Sequence, residues 1–93
     1  MNDKNLSIAI PTRNDDCSQT VSKLLEQARR ETSLDFEILI ADDASDDTEV
    51  IRQLNILCQQ KGCRLIRLKK NIGRAAVRNM LAREAKYDRV LFM

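Results

Sequence analysis

The stretch that decides the fold is Phe36-Glu37-Ile38-Leu39-Ile40-Ala41-Asp42-Asp43-Ala44-Ser45. Its first six residues are almost continuously apolar and rich in β-branched side chains. That pattern predicts a strand covered on both faces, as strands of parallel sheets are. Two adjacent acids then close it. Side chains alternate along a strand, so one acid is expected to point into a cleft and the other aside. A carboxylate at such a place can accept hydrogen bonds from a nucleobase imide or a ribose hydroxyl. The alternative is that the acids only turn the chain into the next helix, which suits Asp46 and Asp47 better than Asp42 and Asp43.

Working outward, each neighbouring segment fits the same plan. Leu6 to Ile10 reads as a short strand stopped by Pro11, and Thr12 to Asp16 as a polar loop. Val21, Leu24, Leu25 and Ala28 recur at helical spacing, predicting a helix over about 18–31, broken by Thr32 to Asp35. Asp46 followed by Glu49 resembles a capping box, opening a helix with Val50, Ile51, Leu54, Leu57 and Cys58 on one face. Gly62 is its expected stop. Leu65 to Leu68 predicts a third strand, and residues 69–73 a loop. Ala76, Val77, Met80 and Leu81 mark a helix over about 74–86, and Val90 to Met93 begins a fourth strand. The order β-α-β-α-β-α-β implies an α/β fold: a three-layer α/β/α, Rossmann-like open parallel sheet. All of 1–93 reads as one domain. The sequence stops inside an apolar strand, so the expectation is a piece of a longer chain.

Composition bounds the function. The 93 residues hold 16 basic and 14 acidic side chains, a net +2, and aromatic residues are 3%. A nucleic-acid partner is therefore not expected. Seven Lys or Arg and no acid lie from Arg64 to Arg83, which suits either a solvated face or an anion site. The odd set Cys17, Cys58 and Cys63 matches no zinc spacing, and there is no histidine for a metal site or a catalytic triad. Free, mostly buried thiols in a reducing cytosol are the simplest reading. The amino terminus MNDKNLS is too polar for a signal peptide, and no apolar run is long enough to span a membrane. The expected location is cytoplasmic, free or peripheral at the inner face of the membrane. Neither a G-x-G-x-x-G after the first strand nor a P-loop motif occurs.

Open parallel sheets bind ligands beyond the carboxyl ends of their strands. The loops that reach that edge are Pro11-Thr12-Arg13-Asn14-Asp15, Asp42-Asp43-Ala44-Ser45 and Asn71-Ile72-Gly73-Arg74. The first could contact a ligand or merely tie down its own turn. The third leads into a helix amino terminus, which favours anions. Arg74 and Arg78 share a helix face, as suits a phosphate nearby or two solvated arginines. Gly73 also suits a turn closed to other residues.

In combination, these residues resemble the start of a family 2 glycosyltransferase of GT-A fold. Ile8-Ala9-Ile10-Pro11-Thr12-Arg13-Asn14, Ile38 to Thr48, and Asn71-Ile72-Gly73-Arg74-Ala75-Ala76-Val77-Arg78-Asn79 are similar to I-P-T-Y-N, V-D-D-G-S-x-D-x-T and N-x-G-x-x-x-A-R-N, in that order. Each motif is weak alone. The resemblance implies that the chain holds the nucleotide of a nucleotide-sugar donor, most often a UDP-sugar. Asp43 would bind the base imide, and Pro11, Thr12 and Arg13 would line the base and ribose pocket. Asp42 and Ser45 would shape that pocket, and Gly73, Arg74, Arg78 and Asn79 would lie towards the diphosphate. Three departures stand out: Arg13 replaces an aromatic, Ala44 a glycine, and Val77 an alanine.

The family's D-x-D metal motif, for Mn2+ or Mg2+, and its catalytic base are expected beyond Met93. No catalytic or metal residue is therefore named within 1–93, and the chain alone is expected to be inactive. The full-length enzyme would transfer sugar with inversion to a glycan or lipid-linked acceptor, in polysaccharide or cell-wall synthesis. The competing reading is a stand-alone nucleotide-binding or regulatory α/β domain without catalysis. A third is a purely structural α/β domain. An incomplete sheet would leave apolar edges open, so a dimer is conceivable.

Overall fold

A computed structural model describes residues 5–31 and 33–93. The polar terminus Met1 to Lys4 and the expected helix breaker Thr32 lie outside the described residues. Seven elements follow in order: β1 (Asn5–Thr12), α1 (Ser18–Arg30), β2 (Asp35–Asp42), α2 (Thr48–Leu57), β3 (Cys63–Arg67), α3 (Arg74–Glu84) and β4 (Val90–Phe92). The sheet order is β3-β2-β1-β4, and each pairing is parallel. Strand order therefore reverses between β1 and β4, at the carboxyl edge where ligands of such sheets bind.

The pattern of β2 explains the layers. Ile38, Leu39, Ile40, Ala41 and Asp42 are all fully inaccessible. Ile38 and Ile40, with Ile8 and Ile10 of β1, pack against Val21 and Leu25 of α1 and Val50, Leu54 and Leu57 of α2. Leu39 and Ala41, with Ala9, face the other way, onto Val77 and Leu81 of α3. Alternation along the strands thus feeds two separate cores. None of the described helices is long and apolar enough to cross a membrane.

Four expectations need correction. Pro11 does not stop β1, which continues to Thr12 with Pro11 opposite Ala41 and Thr12 opposite Asp42. Ser7 and Ala9 exchange backbone bonds on the β4 side: the Ser7 amide with Arg89, the Ala9 carbonyl with the Met93 amide. By alternation, the missing N–H of Pro11 faces that side too, beyond the Ser7 to Ala9 register with β4, so no ladder bond is lost.

The cap of α2 is Asp47, not Asp46: its carboxylate accepts from the Glu49 and Val50 amides at 3.0 and 3.2 Å. The Glu49 carboxylate does not reach back to complete a box. It accepts from Arg52 and Gln53 instead. Gly62 is not the helix stop either, since α2 ends at Leu57 with Cys58 as its cap. Gly62 instead opens β3 at φ 94°, where an added Cβ would come within 3.1 Å of the Phe36 ring. Finally, α3 ends at Glu84, two residues earlier than expected, and Ala76 on it is exposed.

A buried polar group at the amino edge explains that early end. Glu37, 9% exposed, accepts from the Ser7 hydroxyl at 2.7 Å and from the Lys86 amide at 2.5 Å. The Tyr87 amide donates to Ser7 Oγ at 3.1 Å, and Arg64 bridges Glu37 to the Glu84 carbonyl. The chain leaves the helix to satisfy this carboxylate, as a buried charge requires.

Candidate functional site

At the carboxyl edge the strand-end loops are bolted together by side chains. Asn14 adopts φ 53°, in the left-handed region. Its amide donates to Ser45 Oγ at 2.7 Å. Its side-chain oxygen accepts from the Asp46 and Asp47 amides at 2.9 and 3.0 Å, and its side-chain nitrogen donates to Asp46 at 2.9 Å. Asn14 therefore clamps the loop after β1 onto the loop after β2. Thr12 Oγ1 donates to the Asp15 carbonyl at 3.1 Å, closing its own loop.

The two adjacent acids do part, as alternation demands. Asp42 turns aside. It accepts from the Ser45 hydroxyl and, at 3.2 Å, from the Ser45 amide, while Arg67 Nε donates to its other oxygen at 3.3 Å. This buried carboxylate shapes the turn with Ser45, and neither lines the cleft. Asp43 points the other way. Its two oxygens accept from the Ile72 and Gly73 amides at 2.8 and 2.9 Å, tying β2 to the start of α3. The carboxylate is only 6% exposed, yet it lines the cleft.

Between the two acids and Ser45, Ala44 holds φ 60°. The turn that usually takes glycine is kept with alanine in it. A left-handed alanine is disfavoured by roughly 1–2 kcal/mol, partly offset because glycine has more freedom to lose on folding. We expect Ala44→Gly to raise stability by about 0.5 kcal/mol in urea unfolding. A loss of similar size would mean that the turn is not left-handed at Ala44.

The cleft itself encloses about 300 Å³. Pro11, Thr12, Arg13 and Asp15 form one wall. Asp43 forms the floor, and Asn71, Gly73, Arg74 and Val77 form the other wall. The structure thus brings together six of the ten residues expected at the site. Arg78 and Asn79 are not among them. The Arg78 guanidinium lies 4.7 Å from the centre of the Phe92 ring, a cation–π contact. Asn79 is exposed and outside the cleft lining.

Asp15 and Asn71 were not singled out from sequence. Asn71 carries a signal that could have found it: its side chain accepts from the Gly73 amide two residues on, a turn typical of asparagine. Arg13 and Arg74, both exposed, bring positive charge to the rim around Asp43. The uncapped amino terminus of α3 adds to it, since Gly73 offers no side-chain cap.

Among the described residues, no three His, Cys, Asp or Glu are grouped to hold a metal ion. Asp42 and Asp43 are engaged with Ser45, Arg67, Ile72 and Gly73. These acids do not fit a metal centre.

A larger hollow, about 780 Å³, lies at the opposite, amino edge beside Phe36, Glu37, Arg64 and Tyr87. Size alone would favour it. Strand polarity favours the smaller cleft, because strand-end loops and the α3 terminus converge only there.

Because Asn14 clamps the loop that forms the first wall onto the loop after β2, Asn14→Ala should cost about 1–2 kcal/mol of stability and loosen any ligand in the cleft. Urea unfolding with and without ligand checks both.

The chain is similar to known proteins. The family model for glycosyl transferase family 2 matches residues 7–93. An uncharacterised glycosyltransferase of Haemophilus influenzae is 36% identical over 88 residues, covering 95% of this chain. The chain spans 28% of that relative's length. Among solved structures, the mannosyltransferase PcManGT of Pyrobaculum calidifontis, in complex with GDP-Man and Mn2+, superposes with a TM-score of 0.65 at 20% identity. That likeness covers 87% of this chain and 24% of the mannosyltransferase chain, and it concerns the fold.

Proposed function

The chain belongs to glycosyl transferase family 2, and from that premise we propose that its carboxyl-edge cleft binds the nucleotide of a UDP-sugar donor. The open parallel sheet is of the GT-A, Rossmann-like type. The observation that carries the reading is Asp43: a nearly buried carboxylate on the cleft floor, held rigidly by two backbone amides. A carboxylate has about four acceptor sites, so two amides leave capacity for the imide N–H of uracil. Pro11, Thr12 and Arg13 flank the base and ribose, the Arg13 guanidinium serving as a stacking plane. Arg74 and the start of α3 receive the diphosphate, and Gly73, whose amide is held by Asp43 and Asn71, leaves open space for it by lacking a side chain. Asp42 and Ser45 hold the turn behind them. Arg78 and Asn79 have no part in this reading.

For the whole protein the proposal is sugar transfer to a hydroxyl of a glycan or lipid-linked acceptor, with inversion. The residues in hand bind and orient the donor's nucleotide. The divalent ion is held elsewhere, since the acids here do not fit one, and by itself the chain transfers no sugar. The solved mannosyltransferase carries a guanine nucleotide. Guanine also presents N–H groups that a carboxylate can accept, so the base is the point to test. In calorimetric titrations of the chain, UDP should bind more tightly than GDP, and more tightly than CDP by roughly tenfold, because cytosine has no imide N–H and forfeits one well-placed charged hydrogen bond. Manganese should alter the UDP affinity little. Tighter GDP binding would overturn the choice of base, and heat from neither nucleotide would overturn the site.

A further inference from the structure

At the end of α2, away from the nucleotide cleft, Cys58 and Cys63 bring their sulfur atoms within 3.0 Å. Neither is in a disulfide. The approach is fixed by regular structure on both sides. Cys58 caps α2, its amide bonded to the Leu54 carbonyl at 3.0 Å. Cys63 is the first residue of β3, in register with Ile38. The four residues between them form a tight turn, in which the Gln60 amide bonds to Leu57 and the Cys63 amide to Gln60. Gly62 supplies the φ of 94° that lets this turn pass under the Phe36 ring.

We propose that Cys58 and Cys63 are a thiol–disulfide exchange site, at which a small-molecule disulfide such as oxidised glutathione closes an intramolecular bridge. The sulfurs need to approach by only about 1 Å to reach bonding distance. The division of labour follows from their surroundings. The hydrogen bond between the two sulfurs lowers the Cys58 thiol from its ordinary value, whereas that same hydrogen bond and burial push Cys63 up. Cys58 is also the more exposed of the two. Its thiolate attacks one sulfur of the incoming disulfide, and the other sulfur leaves as a thiolate. Cys63 then gives its proton to solvent, and its sulfur attacks Cys58 Sγ. The S–S bond between Cys58 and the small molecule breaks, and a second small thiol departs. Two protein thiols are oxidised and one disulfide is reduced to two thiols. Cys17, whose thiol burial pushes up to about 11, has no part in the 3.0 Å contact between Cys58 and Cys63 and stands aside.

The test is incubation of the folded chain with oxidised glutathione near neutral pH, followed by intact mass, thiol titration and peptide mapping. The expected product is lighter by two hydrogens, carries no glutathione, titrates one thiol instead of three, and yields a Cys58–Cys63 linked peptide. In Cys63→Ala the reaction should stop at a glutathione adduct on Cys58. Cys17→Ser should bridge like the parent chain. A lasting adduct on the parent chain, a bridge through Cys17, or three unreacted thiols would each overturn the proposal. Because the pair lies outside the cleft, UDP binding should be the same before and after oxidation. This keeps the result independent of the nucleotide proposal.

Discussion

Asp43→Ala is expected to weaken UDP binding by at least about tenfold in calorimetric titration. The substitution removes the acceptor proposed for the base. It also leaves the Ile72 amide without its partner and the Gly73 amide with Asn71 alone, which loosens the start of α3. The two effects separate by choice of variant. Asp43→Asn keeps one carbonyl oxygen for a backbone amide but presents an NH2 group to the base, donor against donor. It should therefore lose most of the UDP affinity while losing less stability than Asp43→Ala, since one of the two backbone amides keeps its acceptor. Asp42→Asn makes the control. Its carboxylate turns away from the cleft, so the variant should lose stability, through Arg67 and Ser45, more than affinity. Unchanged UDP affinity in Asp43→Asn would show that the carboxylate does not read the base.

The largest effect on folding is expected at Leu39. Its side chain is fully buried in the core beneath α3, with Val77 and Leu81 above it. That core has only five fully buried members, two of them alanines, so little can move in to fill a void. Leu39→Ala should cost about 2–5 kcal/mol. A domain of this size has only about 5–15 kcal/mol in total. The melting temperature should fall by at least about 10 °C. Ile38→Ala, on the opposite face, is cushioned by a core twice as populous and should cost less than Leu39→Ala. Equal losses would mean that the two cores collapse as one.

Most of the fold was legible because each element carries its own period. The apolar run of β2 implied cover on both faces, and the helical spacings on either side of it supplied that cover. What escaped the sequence depends on partners far along the chain. Whether Pro11 ends β1 depends on where the neighbouring β4 stops pairing, a fact some eighty residues away. Glu37 interrupts the apolar run of β2. Its burial becomes intelligible only once Ser7 and the Lys86 amide are beside it.

The cleft was legible in outline, since strand ends converge at one edge in any parallel sheet. Alternation predicted that one of the paired acids would face it and the other turn aside. The Asn14 clamp was left open because the same residue type serves turns and ligands alike, and only the Asp46 and Asp47 amides decide between them. The contact of Arg78 is hidden in the sequence for a related reason. Its ring partner, Phe92, sits in the next element rather than on its own helix.

The most direct test of the nucleotide cleft is a map of backbone amide shifts as UDP is added to the isotopically labelled chain. The account predicts that shifts concentrate at Thr12, Arg13, Asp43, Gly73 and Arg74, with Glu37, Arg64 and Tyr87 at the amino edge unmoved. Shifts confined to the amino-edge hollow, or none at saturating UDP, would contradict it.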